Sequence, residues 1–511
     1  MLIEQRIQTS EHHSVVEGLM QATAASVSRN PLTRQKLLRA SALTAPVGLL
    51  ALGAISLGIY YWARDLHRFT QWIAAYEALF IGQLFLYLLA CFIVERFADS
   101  RNLTRLTVCL VFVFAFADHA VLVAQRPYLS SDVYRYVWDG RVQSAGINPY
   151  WYVPEANELS GLRDEAIYTN INREDKQWTS PYPPVAQMVF LAVAELGSKS
   201  VTVFKSAMSL FDLLTILLLM LVLARSGINP ARAIIFAWNP LVIIEGAHSG
   251  HIESIYVAFL ALAFFAWSNH KHSLTGVSLA LATLVKFYPA LLLPAFLVVK
   301  PNNSDGLNDS DDRSLSSGIS KLINRANASM LIAFVVTVIV AYLPYMSAGE
   351  KLFAFVRGYV QEEGFVQTGA RYFFLDAART VAAIPTLVFI SFATVLFGWL
   401  ALRQASRVKR DAVDLGAAAL CLIGTYLLLT TPRYAWYYIW VLPFLCLAPR
   451  LGWLYLASAS ALLYLVWYTP LVYPEVPLWL GAAIYVPTLI LLVWDYARSR
   501  RMQLDMRQID S

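Results

Sequence analysis

The sequence predicts an all-α polytopic membrane protein with about 13–14 transmembrane helices and a long, partly helical first outer loop. Three observations predict it. Of 511 residues, 58% are hydrophobic and 14% charged, whereas soluble domains carry about 25% charged residues. The mean hydropathy is +0.53, and the apolar residues gather into runs close to the ~20 residues that cross a bilayer as helix. The basic residues, net charge +6, sit in short segments between those runs, as membrane topology requires, and do not form a nucleic-acid surface. Intrinsic disorder, a secreted disulfide scaffold and a soluble enzyme are excluded. The four cysteines, Cys91, Cys109, Cys421 and Cys446, lie in apolar stretches without CxxC pairing and read as core residues.

In chain order the spans are expected near 43–62, 72–95, 106–124, 184–197, 202–224, 233–246, 252–268, 274–299, 329–346, 381–402, 412–430, 434–448, 451–468 and 478–495. Those at 184–197 and 233–246 are short, so tilted, broken or partly inserted segments are expected there. Residues 1–42 form a polar tail of mixed charge, longer than a signal n-region, and no cleavable signal peptide is expected. The transmembrane domain covers 43–496, and 497–511 is a basic tail. Basic clusters at Arg29–Arg39, Arg96–Arg105, Arg403–Arg410 and Arg498–Arg501 fall on one side if both termini are cytoplasmic. Residues 125–183 and 347–380 are then outer loops. The Ser/Asp/Asn-rich stretch 301–328 reads as a disordered cytoplasmic linker.

Loops longer than about 12–15 residues are usually functional or disordered. The first outer loop is dense in Tyr, Trp and Pro, which suits an ordered segment at the membrane interface. Residues 132–143 fit a short helix, with Val133, Tyr136, Val137 and Gly140 on one face and Asp132, Arg135 and Asp139 on the other. Ser131 or Asp132 is expected to cap it. Gly146 and Asn148-Pro149 then turn the chain. Asp132 serves as a cap or as a carboxylate that accepts a proton at the membrane surface, and a capped helix end is a rigid mount for either. Asp139 pairs with Arg135 or Arg141.

The order Asp-x-x-x-Tyr from Asp132, AGINPY, then TSPYPP resembles the GT-C superfamily of polytopic glycosyltransferases. WNPLVIIEGAHSGHIE at 238–253, LVKFYPALLLP at 284–294 and TPRYAWYYIWVLP at 431–443 fit the same pattern. The similarity is greatest to mannosyltransferases that use polyprenyl-phosphate mannose, and it covers roughly residues 100–445. It implies transfer of a hexose, mannose above others, from a polyprenyl-phosphate donor to a glycan or glycolipid hydroxyl on the outer face. The resemblance makes Asp132 the general base of an inverting single displacement. The absence of a Gly-rich phosphate loop agrees with a donor that is not a nucleotide.

Fixed cations are then required for the departing phosphate. Arg371 in the second outer loop, Arg433 in the turn TTPRYAWYY and the intramembrane Lys286 are the candidates, with interface snorkelling as the bland reading of the arginines. Relatives place a His-Pro-Trp-Tyr segment where this chain has Arg-Tyr-Ala-Trp-Tyr. Tyr136, Asp139, Asn148, Tyr182, Trp436 and Tyr437 are candidate substrate contacts. Glu77, Asp118, Asp212 and Glu245 read as polar contacts between helices. His248, His251 and Glu253 have the spacing of helical metal ligands, but Gly250 interrupts them and span parity puts them opposite Asp132, so a helix break lining the donor groove is expected. Some members of the superfamily bind a divalent cation; no clear ligand set is present here. The expected partners are the polyprenyl-phosphate donor, the acceptor glycan or glycolipid and membrane lipid, with no nucleic acid, in a bacterial inner membrane. A transporter or flippase of lipid-linked sugars is the main rival, disfavoured by the absence of a repeat. An O-antigen ligase or polymerase, which carries its long loop late, is the second.

Overall fold

A computed structural model describes residues 31–63, 72–97, 101–197, 200–299, 322–353, 372–468 and 476–509. Arg371, the tail before residue 31 and linker residues 301–321 lie outside the described residues. Every regular element among the described residues is helical, as expected for a chain whose backbone groups must be satisfied within lipid. Among the described residues eight helices are long and apolar enough to cross a membrane, and shorter apolar helices occur at Pro184–Gly197, Glu253–Ser268, Ala435–Leu447 and Leu451–Val466. The final helix runs from Leu478 to Ile509.

The elements that place the site are α1 (Pro31–Trp62), α2 (Trp72–Phe97), α3 (Arg101–Val123), α4 (Asp132–Ser144), α5 (Pro184–Gly197), α6 (Val201–Arg225), α7 (Glu253–Ser268) and α8 (His272–Thr283). After a linker come α9 (Arg325–Tyr342), α10 (Thr386–Ser406), α11 (Ala412–Thr430) and α12 (Leu478–Ile509). Local chemistry sets their starts. Ser200, Asn324 and Asp411 each accept a backbone N–H from the first turn of α6, α9 and α11. Two short segments do not run as the apolar lengths predict.

The first is α5. The N–H groups of Val185 and Ala186 donate to the Leu284 carbonyl at the tip after α8, and α5 packs along α4. At the crossing Gly140 is obligatory, because a Cβ there would meet the Phe190 carbonyl oxygen at 2.4 Å. Beyond α5, the Lys205 ammonium in the first turns of α6 donates to the carbonyls of Leu122 and Gln125, at 3.0 and 2.5 Å. The start of α6 therefore lies beside the end of α3. So α5 begins and ends on the first-loop side, and 184–197 is not a crossing.

The second is 272–299, where the apolar run 274–299 predicts one span. Its tip at Leu284–Lys286 touches the start of α5, yet the Phe296 carbonyl accepts from Trp267 at the far end of α7 at 3.0 Å. The Leu297 carbonyl accepts from Lys409, in the α10–α11 connection, at 3.1 Å. The segment is a hairpin that goes up and returns. One crossing is lost and one gained, so the parity of the whole chain is unchanged. The sidedness of everything between them is reversed. The broken segment 230–251 thus starts where Arg232 pairs with Glu95 at the end of α2, 2.8 Å away, and finishes on the first-loop side.

This arrangement makes an accessibility prediction. In a cysteine-free background, Glu195→Cys at the exposed end of α5 reacts with a membrane-impermeant thiol reagent from the same side as Glu158→Cys in the first loop. Lys271→Cys, in the exposed α7–α8 turn, reacts only from the other side. Labelling of Glu195→Cys and Lys271→Cys with the opposite sidedness would restore the span order read from the sequence.

Candidate active site

Asp132 opens α4. Ser131 occupies the cap position but its side chain caps nothing; the Asp132 N–H instead donates to Ser130 Oγ at 3.2 Å. The carboxylate stands in the first turn, where the helix dipole favours negative charge. The helix behind it differs from the amphipathic expectation, since Val133 to Val142 are all buried on both faces. One face packs on α5 through a ring cluster of Tyr136, Tyr182, Phe190 and Phe204. The polar face is closed by loop residues. Arg135 Nε pairs with Asp139 at 2.8 Å and its guanidinium also donates to the carbonyls of Asp175 and Trp178. Gln187 from α5 donates to the other Asp139 oxygen at 3.1 Å, and Arg141 pairs with Asp164 at 3.0 Å. Asp132 is thus fixed to a rigid mount, and its own side chain keeps 28% exposure.

Facing it is the end of the broken segment. Asn239 and Asn229 cap two short turns that each begin with proline, Pro240 and Pro230. A π-helical turn follows over Ile244–Ser249, and Gly250 ends it with φ +76°. A Cβ on Gly250 would lie 3.0 Å from Lys205 Cγ and 3.1 Å from Val133 Cγ2, so only glycine allows so close an approach to α4 with that backbone. The turn delivers His251 to Asp132, with Nε2 3.9 Å from the carboxylate. The placement of His251 opposite Asp132 is therefore corrected; the cause is α5, which does not cross. Behind His251, Nδ1 lies 2.9 Å from Glu245, and Glu245 accepts from the Tyr464 hydroxyl at 2.5 Å. Both His251 and Glu245 are fully buried.

Glu253, the first residue of α7, pairs with Lys286 at 2.5 Å; the carboxylate is buried while the lysine keeps 17% exposure. The ammonium also lies 4.5 Å over the Tyr437 ring. Trp436 lies against the His251 ring with centroids 4.0 Å apart, and Tyr434 stacks on Trp436 at 4.6 Å. Arg433 follows the left-handed Thr431 in the same turn. Lys286, Trp436, Tyr437, His251 and Glu253 thus gather with Asp132 on the first-loop side, with Arg433 in the neighbouring turn.

Other candidates are committed elsewhere. Tyr136 is buried and donates to Asp132 at 3.4 Å, which orients the carboxylate. Asp139 is enclosed by Arg135 and Gln187. Asn148 joins the first loop to the second by donating to Ser347 at 3.0 Å and to the Tyr345 carbonyl at 3.3 Å. The Tyr182 carbonyl accepts from Tyr150 at 2.6 Å, and its ring meets Tyr136 edge-on. His248 lies against Tyr128 and lines a small cleft with Tyr60, Tyr76 and Gln125, on a π turn that breaks the helical metal-ligand spacing. Among the described residues no three His, Cys, Asp or Glu side chains converge as metal ligands.

The chain matches two family profiles. One, described as alpha-(1->6)-mannopyranosyltransferase, N-terminal domain, covers residues 40–301, just over half the chain. The chain belongs to this family. The other, glycosyltransferase family 87, matches residues 178–432. A curated relative, alpha-(1->6)-mannopyranosyltransferase A of Corynebacterium glutamicum, is 25% identical over 179 residues. That match spans 34% of this chain and about a third of the relative, 35%. No solved structure matches. The first profile, over residues 40–301, includes α4, the π turn and the α8 hairpin.

Loop electrostatics yield a stability prediction. Burial, and then the negative charge of Asp132, push the Asp175 carboxyl up to about 6. A carboxyl raised in the folded state favours folding while protonated and loses that contribution as pH rises through 6. Asp175→Asn therefore raises the thermal midpoint of the detergent-solubilised protein at pH 7.5, and the gain vanishes below about pH 4, the range of an unperturbed aspartate. A pH-independent gain or a loss contradicts this.

Proposed function

We propose that the protein is a glycosyltransferase that moves a hexose, mannose above other hexoses, from a polyprenyl-phosphate donor to a hydroxyl of a glycan or glycolipid. The single observation that carries this reading is the setting of Asp132: a part-exposed carboxylate on a rigid helix, at the end of a buried cluster of charges, on the side of the long first loop. Family membership supports the transfer chemistry, and the lipid-phosphate donor suits a site built between membrane helices without a nucleotide fold.

In the proposed step Asp132 takes the proton of the acceptor hydroxyl. The hydroxyl oxygen forms its bond to the anomeric carbon on the face away from the phosphate. The bond from that carbon to the phosphate oxygen breaks, and its electron pair leaves with the polyprenyl phosphate. Direct attack inverts the configuration. The proton passes from Asp132 to water at its exposed edge. Lys286 and Arg433 are the cations proposed to stabilise the leaving phosphate, with Arg371 a third on sequence grounds. Trp436 and Tyr437 offer ring faces to the sugars. The proposed location is a bacterial inner membrane with cytoplasmic termini.

Purified protein given radiolabelled polyprenyl-phosphate mannose and envelope glycans is expected to form a labelled product. Asp132→Asn lowers the rate by about 10²–10⁴-fold, the usual worth of a general base, while the protein still inserts and elutes as a single species. Near-normal turnover by this variant would remove the base assignment. Lys286→Met is expected to weaken donor use by about ten- to hundredfold, the worth of a charge-assisted hydrogen bond. Unchanged donor dependence would leave Lys286 as the counter-ion of Glu253 alone.

A further inference from the structure

We propose that His251, held by Glu245 and Tyr464, is a positioning residue that keeps Asp132 oriented and ionised for proton abstraction. This rests on the reading of Asp132 as base. The four side chains come from four separate elements: α4, the turn after Gly250, the π turn and the segment 451–466. Their sequence spacing carries no hint of the arrangement.

A fully enclosed carboxylate such as Glu245 is tolerated only with partners for its charge. It has two, Tyr464 at 2.5 Å and His251 Nδ1 at 2.9 Å. Nδ1 lies beside Glu245 as an ion-pair contact without hydrogen-bond geometry, and Nε2 faces Asp132 at 3.9 Å. A protonated imidazole presents an N–H from both nitrogens, so a small closure on substrate binding turns this contact into a hydrogen bond. The Trp436 ring against His251 limits its rotation. The groups that face His251 are Glu245 from the π turn, Asp132 from α4 and Glu253 from α7, whose own charge is met by Lys286. Three carboxylates thus surround the His251 ring. Asp132 is also faced by Tyr136 on its own helix, Tyr182 and Asp175 in the first loop, and Tyr464. None of these is a cation. His251 Nε2 stands within ion-pair distance of the Asp132 carboxylate.

The test is the pH dependence of kcat/KM for hexose transfer from polyprenyl-phosphate mannose, in the full-length protein in nanodiscs. An opposite charge this close displaces a carboxyl titration by about 1–3 pH units. The acid limb of His251→Gln and of Glu245→Gln, which deprives the imidazolium of its counter-ion, is expected to move up by at least about one unit. Tyr464→Phe, which deletes one hydroxyl, is expected to move it in the same direction by less. Donor KM stays within about twofold of wild type in all three. An acid limb unmoved in the variants, with activity lost evenly across pH or a raised donor KM, would overturn the proposal and leave a structural pair. If His251→Gln does not assemble, Tyr464→Phe decides the matter by the same criterion. Failure of the underlying reading looks different: wild type transfers no hexose, or Asp132→Asn turns over normally, and the inference falls with it.

Discussion

Charge buried among membrane helices must be matched locally, because neither water nor lipid can solvate it. In this protein that constraint decides where the chain goes. Glu245 stands in the π turn with no exposure and takes His251 and Tyr464 as partners. Asp212 in α6 meets His119 of α3 at 3.4 Å and lies directly over Gly246, where a Cβ would come within 1.9 Å of its oxygen. Glu253 takes Lys286. These pairings hold the broken segment and the α8 hairpin against the first-loop end of the bundle. Helices that ran straight through would leave the same groups apart. Regular hydrogen bonding is interrupted by Asn239-Pro240, the π turn and Gly250, and such π turns commonly occur at functional sites.

The consequence is a division of labour. One side of the site is a mount: α4 held by Arg135, Asp139 and Gln187, and tied through Asn148 and Tyr345 to the second loop. The other is a shelf of Trp436, Tyr437 and Lys286 on segments that cross the membrane. Asp132 lies between the first loop and apolar helices, which is the position the proposed transfer requires. Groups placed on rigid elements cost little reorganisation when charge develops in a transition state.

Much of this was legible in the residues. The 58% hydrophobic composition and basic clusters gave a polytopic helical protein, and the 132–143 pattern located α4 almost to the residue. Arg135 as the partner of Asp139 follows from an i,i+4 spacing. The short spans were the weak point. Hydropathy registers how apolar 184–197 is but not that its first N–H groups bond the Leu284 carbonyl, nor that 272–299 doubles back. That error put His251 opposite Asp132. Glu245 was visible as an intramembrane acid needing a partner, while Tyr464, some 200 residues later, carried no local signal. Asp139 and Asn148 looked like ligand-facing polar residues because their partners, Gln187 and Ser347, are distant in the chain.

The account stands on the contact between α4 and the turn after Gly250. Paired substitutions Asp132→Cys and His251→Cys, in a cysteine-free background with a protease site inserted at Gly161, measure it directly in membranes. After treatment with a short bis-methanethiosulfonate cross-linker and cleavage the two fragments are expected to migrate as one species until reduced, and neither single substitution does so. Fragments that separate without reductant would show that the two residues do not meet.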